Sequence, residues 1–127
     1  MVLDPDCVRD LLLEVESTIQ DVGICFTYPK ESTLIGKYTR DKLSYHTQQC
    51  IWSGLLFTYD PEFDGQSSFH LRDLSPSGHI FLNNIRAKEP FEKTKSIASK
   101  LGNWSLSALQ SIAAGVATAA INNQLGI

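Results

Sequence analysis

The 127-residue chain has no run of apolar residues long enough to cross a membrane, no excess of positive charge and few cysteines. Eleven Lys+Arg against 14 Asp+Glu give a formal charge of −3, which excludes a polycation that holds nucleic acid by bulk charge. Cys7, Cys25 and Cys50 are odd in number, far apart and set among apolar residues. This pattern fits small hydrophobes in a reducing compartment and not a disulfide framework. The start, MVLDPDCVRD, is acidic where a secretory leader is basic. No leader is therefore expected, and a cytoplasmic location is. Five Pro and 8 Gly exclude collagen-like and low-complexity chains. No internal repeat is evident.

Catalytic signatures are equally scarce. There is no Gly-rich phosphate loop and no Gly-x-Ser-x-Gly. His46, His70 and His79 are not spaced as helical metal ligands, and no Cys or carboxylate completes a known set. Glu14 and Glu16 fall on different faces of a helix, so they cannot serve as an acid–base pair. A non-enzymatic protein without metal or cofactor is expected.

What is present is an ordinary globular balance, 43% hydrophobic and 20% charged, in a chain sized for one core. Asp4-Pro5 is a cap followed by Pro at the first helical position. Val8, Leu11, Leu12, Val15 and Ile19 then recur at helical spacing, predicting a helix over 5–20. Gly23 ends it, and 22–28 reads as a strand closed by Pro29. Residues 30–38 are expected to form a polar loop. Thr39 caps a second helix, with Leu43, Thr47, Cys50 and Ile51 on its inner face and Gly54 after its end. Strands are predicted at 55–59 and 67–74, joined by a turn over 60–66 with Asp64-Gly65 as the hairpin signal. Ser75-Pro76 starts a helix to about Lys88, which Pro90 is expected to break. A short basic helix over 91–100 and a last one from the Ser105 cap to Asn123 follow. The order helix, strand, helix, two-stranded hairpin is that of a winged helix. The predicted class is α+β: a winged-helix-like domain over 1–88, with a helical extension over 89–127 that packs or oligomerises.

Three stretches carry a family likeness: LDPDCVRDLLLEVE at 3–16, YHTQQCIWSGLL at 45–56 and LSPSGHIFLNNIR at 74–86. They resemble an uncharacterised bacterial and prophage family, domain of unknown function 2513. Ser75 and Ile80 depart from the family's threonine and glutamate. The resemblance implies a winged-helix-like fold and brings no activity, cofactor or catalytic residue. Nucleic-acid binding enters by analogy of fold alone.

Charge is unevenly spread: −5 over 1–21, +1 over 22–60, −2 over 61–80 and +3 over 81–127. The segment from Lys37 is the best candidate for a duplex DNA contact. Lys37, Arg40 and Lys42 sit at a helix start suited to phosphates. Tyr45, Gln48 and Gln49 have hydrogen-bonding tips for base edges. The hairpin turn opposes this, because Asp60, Glu62 and Asp64 repel a phosphate backbone. A second expectation is therefore a module that binds a host or phage protein through its acidic helix or hairpin.

From Leu101 to Ile127 no residue is charged. Leu106, Leu109, Ile112, Ala113, Val116 and Ala120 form a stripe expected to pack across the domain or to join two copies. A hetero-partner is the alternative. Gly115-x-x-x-Ala119 has the spacing that packs helices in a membrane, but Asn103, Ser105, Ser107, Gln110, Ser111, Thr118, Asn122 and Asn123 make the segment too polar for a strong membrane span, and no membrane contact is expected.

Overall fold

The computed structural model describes residues 1–20, 26–59 and 68–126. Its elements run α1 (Pro5–Thr18), β1 (Phe26–Tyr28), α2 (Arg40–Trp52), β2 (Leu56–Thr58), β3 (Phe69–Leu74), α3 (Pro76–Ile85), α4 (Lys88–Leu101) and α5 (Leu106–Leu125). The class is α+β, with five helices and a three-stranded antiparallel sheet among the described residues. Cys25, the strand residues before Phe26, the acidic hairpin turn and Ser67 lie outside the described residues.

Short polar side chains start most of the helices. Asp4 accepts from the Asp6 N–H, Thr39 from the Lys42 N–H, Ser75 from the Gly78 N–H and Ser105 from the Ala108 N–H. Each satisfies a donor that has no partner within its own helix. The helix expected to reach Lys88 ends at Ile85, and α4 begins at Lys88 with Pro90 inside its first turn. Proline is tolerated there because first-turn N–H groups have no intrahelical acceptor. The break is therefore set three residues earlier than Pro90 suggests.

β3 is the central strand, with β1 on one side (Phe26 opposite Leu71) and β2 on the other (Leu56 opposite Leu74). The register shifts between Phe57 and Thr58. The inner face carries Phe26, Tyr28, Leu56, Phe69, Leu71 and Leu74. Against it pack Val8, Leu11, Leu12 and Val15 of α1, Leu43 and Cys50 of α2, and Phe81, Leu82 and Ile85 of α3. The expected boundary at residue 88 separates no second core: Phe91, Ala98, Leu106, Leu109 and Ala113 of α4 and α5 belong to the same buried cluster. The reason lies in spacing. Phe91, Thr94 and Ala98 recur one and two turns apart on α4, and all three are buried.

Candidate nucleic-acid interface and the helical groove

α2 turns Leu43, His46, Thr47, Cys50 and Ile51 inward. Arg40 is exposed, and Tyr45, Gln48 and Gln49 are partly exposed on its other side. At about 100° per residue Arg40 and Gln49 stand on opposite sides of α2, so the four residues are open to water without forming a single row. The two lysines are differently placed. Lys37 Nζ lies 2.8 Å from Asp10 Oδ2, and Lys42 Nζ lies 2.7 Å from Asp4 Oδ2. Tyr38 stands between them, its hydroxyl donating to Asp10 Oδ2 at 2.7 Å and both ammonium groups within 5.5 Å of its ring centroid. Hydrogen bonds from these partners raise the pKa of each lysine. Burial works to raise the Asp4 carboxyl, and the Lys42 hydrogen bond and charge outweigh it, so the group sits below its ordinary range. Lys37 and Lys42 are thereby held as clamps between α1 and the start of α2.

His46 is the residue whose role sequence patterning missed. It is fully buried. Its Nε2 accepts from the Asp4 N–H at 2.8 Å, so Nδ1 carries the proton and donates to the Lys42 carbonyl at 2.8 Å. The imidazole ties the entry of α1 to the first turn of α2. Burial lowers its pKa. The neutral ring is thus favoured in the folded state. Above about pH 6.5 both folded and unfolded states hold it neutral. As pH falls below that value the unfolded chain takes up the proton first, and stability declines. Asp4 and Glu16, both lowered, add acid sensitivity only below their ordinary values of 3.8 and 4.5. We expect the melting temperature to fall between pH 6.5 and 5, with a slope of at most about 1.4 kcal/mol per pH unit. His46→Gln, which keeps an acceptor and cannot titrate in this range, should flatten that segment. An equal slope in wild type and variant would contradict the assignment.

Two of the arginines are also internal fasteners. Arg9 donates from Nε to the Ile85 carbonyl at 2.9 Å and from Nη2 to the Arg86 carbonyl, with its guanidinium over Phe91. Arg86 makes a forked pair with Glu16 at 2.8 and 2.6 Å. That pair holds the Glu16 carboxyl below its ordinary value, the Arg86 hydrogen bond being the largest cause. Cys7 and Cys50 are free and buried. Burial pushes the Cys7 thiol up to about 12 and raises Cys50 as well, so neither is a ready nucleophile. Among the described residues no cluster of three or more His, Cys, Asp or Glu could hold a metal.

The expected oligomer stripe divides in two. Leu106, Leu109 and Ala113 face the chain's own core. Ile112, Val116 and Ala120 line a groove of about 790 Å³ between α4 and α5, together with Pro90, Lys93 and Ile97. Of the two expected roles, packing across the domain and joining a second copy, the first is met by the start of the stripe alone. The stripe splits because only the first two turns of α5 lie over the core. Ile121 and Leu125 beyond it are 57% and 66% exposed. No helix among the described residues is long and apolar enough to cross a membrane.

These features define a small α+β fold of five helices and one three-stranded antiparallel sheet among the described residues. The family model described as "Hypothetical protein (DUF2513)" matches residues 2–104, and the chain belongs to that family. The match stops one residue before the Ser105 cap of α5. No curated protein and no solved structure matches the chain.

Proposed function

We propose that this protein is a cytoplasmic, winged-helix-type module that binds duplex DNA through α2 and acts as a dimer, in the manner of a small transcription regulator of a bacterium or prophage. The observation that carries the reading is topological. A helix set in sequence between β1 and the β2–β3 pair, in a sheet of order β1-β3-β2, leaves Arg40 exposed and Tyr45, Gln48 and Gln49 partly exposed. These are side chains suited to a phosphate and to base edges. The groove residues Val116 and Ala120, beside an uncharged helix, support contact with a second copy.

The test is a low-salt anisotropy titration with random duplex DNA, run beside a light-scattering mass. Wild type should be dimeric and bind with a salt-dependent affinity. Arg40→Ala should weaken binding and reduce the salt slope by about 1. Val116→Glu should dissociate the dimer without lowering the melting temperature by more than a few degrees, since Val116 lies outside the buried core. An unchanged elution volume would remove Val116 from the interface.

A second reading, a non-enzymatic protein-interaction module, is favoured by one observation. Lys37 and Lys42 are already paired with Asp10 and Asp4, which leaves fewer cations for phosphates. A dimer that binds no duplex at low salt would turn the search to a host or phage protein.

A further inference from the structure

The outer face of the sheet carries a second surface, which shares Arg40 with α2. β2 turns Leu56 inward, while Phe57 is 47% exposed and Tyr59, just past the strand, is 49% exposed. The Tyr59 N–H donates to the His70 carbonyl at 2.9 Å, which sets Tyr59 beside His70, and His70 in turn pairs with Thr27 of β1. Arg72, two residues on, brings its guanidinium carbon to 5.9 Å from the Tyr59 ring centroid. Near the start of β3, Arg40 Nη2 donates to Ser68 Oγ at 3.0 Å. Positions 68 and 72 are about 13 Å apart along an extended strand. Along this face Arg40 therefore lies beyond Tyr59, and Arg72 lies between Tyr59, level with His70, and Phe57, opposite Asp73.

The partition of arginines marks this face. The chain has four. Arg9 and Arg86 are fastened to α3, its end and α1. Arg40 and Arg72 make no ion pair with a carboxylate among the described residues, and both lie along this side of β3. The acid nearest to them in sequence on β3, Asp73, stands opposite Phe57 and is half exposed; its Oδ1 accepts from the Leu74 N–H at 2.7 Å and lies 4.0 Å from His79 Nε2.

We propose that this face binds a short stretch of single-stranded nucleic acid, with bases stacked on Phe57 and Tyr59 and phosphates meeting Arg40 and Arg72. Exposed rings on a sheet can stack only on bases that are not already paired and stacked in a duplex. Guanidinium groups beside them that pair with no carboxylate among the described residues complement the phosphates of such a strand, and no purely apolar partner would use them. This deepens the nucleic-acid reading above by naming a second substrate class, and it rests on that reading only in taking phosphate as the common ligand.

The test uses the full chain and anisotropy with labelled 12-nucleotide oligo-dT, oligo-rU and a 12-base-pair duplex at low salt. Binding of at least one single strand is expected. Tyr59→Ala should weaken it by about tenfold, from the loss of one stacked base, while Tyr59→Phe should retain it. Arg72→Ala should weaken it and lower the salt slope by about 0.7. Phe57, Tyr59 and Arg72 are all exposed, and an unchanged melting curve for each variant separates lost contact from lost fold. Preference between oligo-dT and oligo-rU supports the proposal either way and names the sugar. Single-strand binding indifferent to Tyr59→Ala and Phe57→Ala would overturn it. Duplex binding without single-strand binding would overturn it and leave the α2 reading standing. No binding of any probe would remove both.

Discussion

Gly78→Ala should cost the fold more than its one added methyl suggests. A Cβ built at Gly78 lies 2.1 Å from the Leu55 carbonyl oxygen. That oxygen is held in place, because it accepts from the Ser75 N–H at 2.9 Å. The Ser75 hydroxyl meanwhile donates to the Gly54 carbonyl and accepts from the Gly78 N–H. The first turn of α3 thus sits directly on the backbone that links α2 to β2. Side chains can rotate away from an intruding methyl, but this carbonyl cannot move without breaking the cap. Gly78 is required here for space and not for its backbone angles. We expect a loss of about 3 kcal/mol, which is at the high end of overpacking, and a fall of about 10 °C in melting temperature. Gly115→Ala is the matching control. It also lies in a helix, nothing stands within 4 Å of its Cβ position, and removing a helical glycine gains about 1 kcal/mol. Its melting temperature should rise or stay level. Similar behaviour of the two variants would disprove the close approach at Gly78.

Leu12→Asp should abolish the cooperative transition. Leu12 is 0% exposed and sits at the centre of the apolar stripe of α1, in the cluster shared with the sheet and α3. Leu12→Ala alone should cost about 2–5 kcal/mol through lost contact and a residual cavity. Aspartate adds a carboxylate with no partner nearby to repay its desolvation. Domains of this size are stable by only about 5–15 kcal/mol. The alanine variant is therefore expected to melt early and the aspartate variant to show no folded baseline by circular dichroism. A Leu12→Asp protein melting within a few degrees of wild type would contradict the packing of α1.

The two variants also mark where sequence reasoning reaches. The stripe through Leu12 is visible as a period, and periodicity reports which side chains leave water. The caps Asp4, Thr39, Ser75 and Ser105 are visible because a cap is a local bargain between a short side chain and an N–H two or three residues on. Gly78 is visible only as a helix residue of low propensity, because its reason lies 23 positions away at Leu55. The same holds for His46, whose partner amide is 42 residues back, and for Lys42, whose carboxylate is 38 back. A basic cluster on a sequence reads as a phosphate site until the acids of α1 are brought against it. The outward pair Phe57 and Tyr59 was within reach of the two-residue period of a strand. The apolar run from Leu55 hid it, since four of its five residues are hydrophobic or aromatic. The stripe on α5 was read as continuous because spacing says nothing of where the surface beneath a helix stops.

That last point has a consequence for how the chain can change. α5 is anchored by Leu106, Leu109 and Ala113, and the residues from Ala114 to Leu125 run on for about 18 Å without a buried side chain. Backbone amides of the anchored turns should exchange with solvent only as the whole domain opens, while those of the overhang should exchange by local fraying. Folding therefore places almost no demand on the composition of the overhang. A lysine or glutamate at Ala119, Ile121 or Gln124 would cost the isolated chain little. The absence of any charge there is a property that stability does not maintain, and it leaves the overhang free to vary with whatever surface it meets.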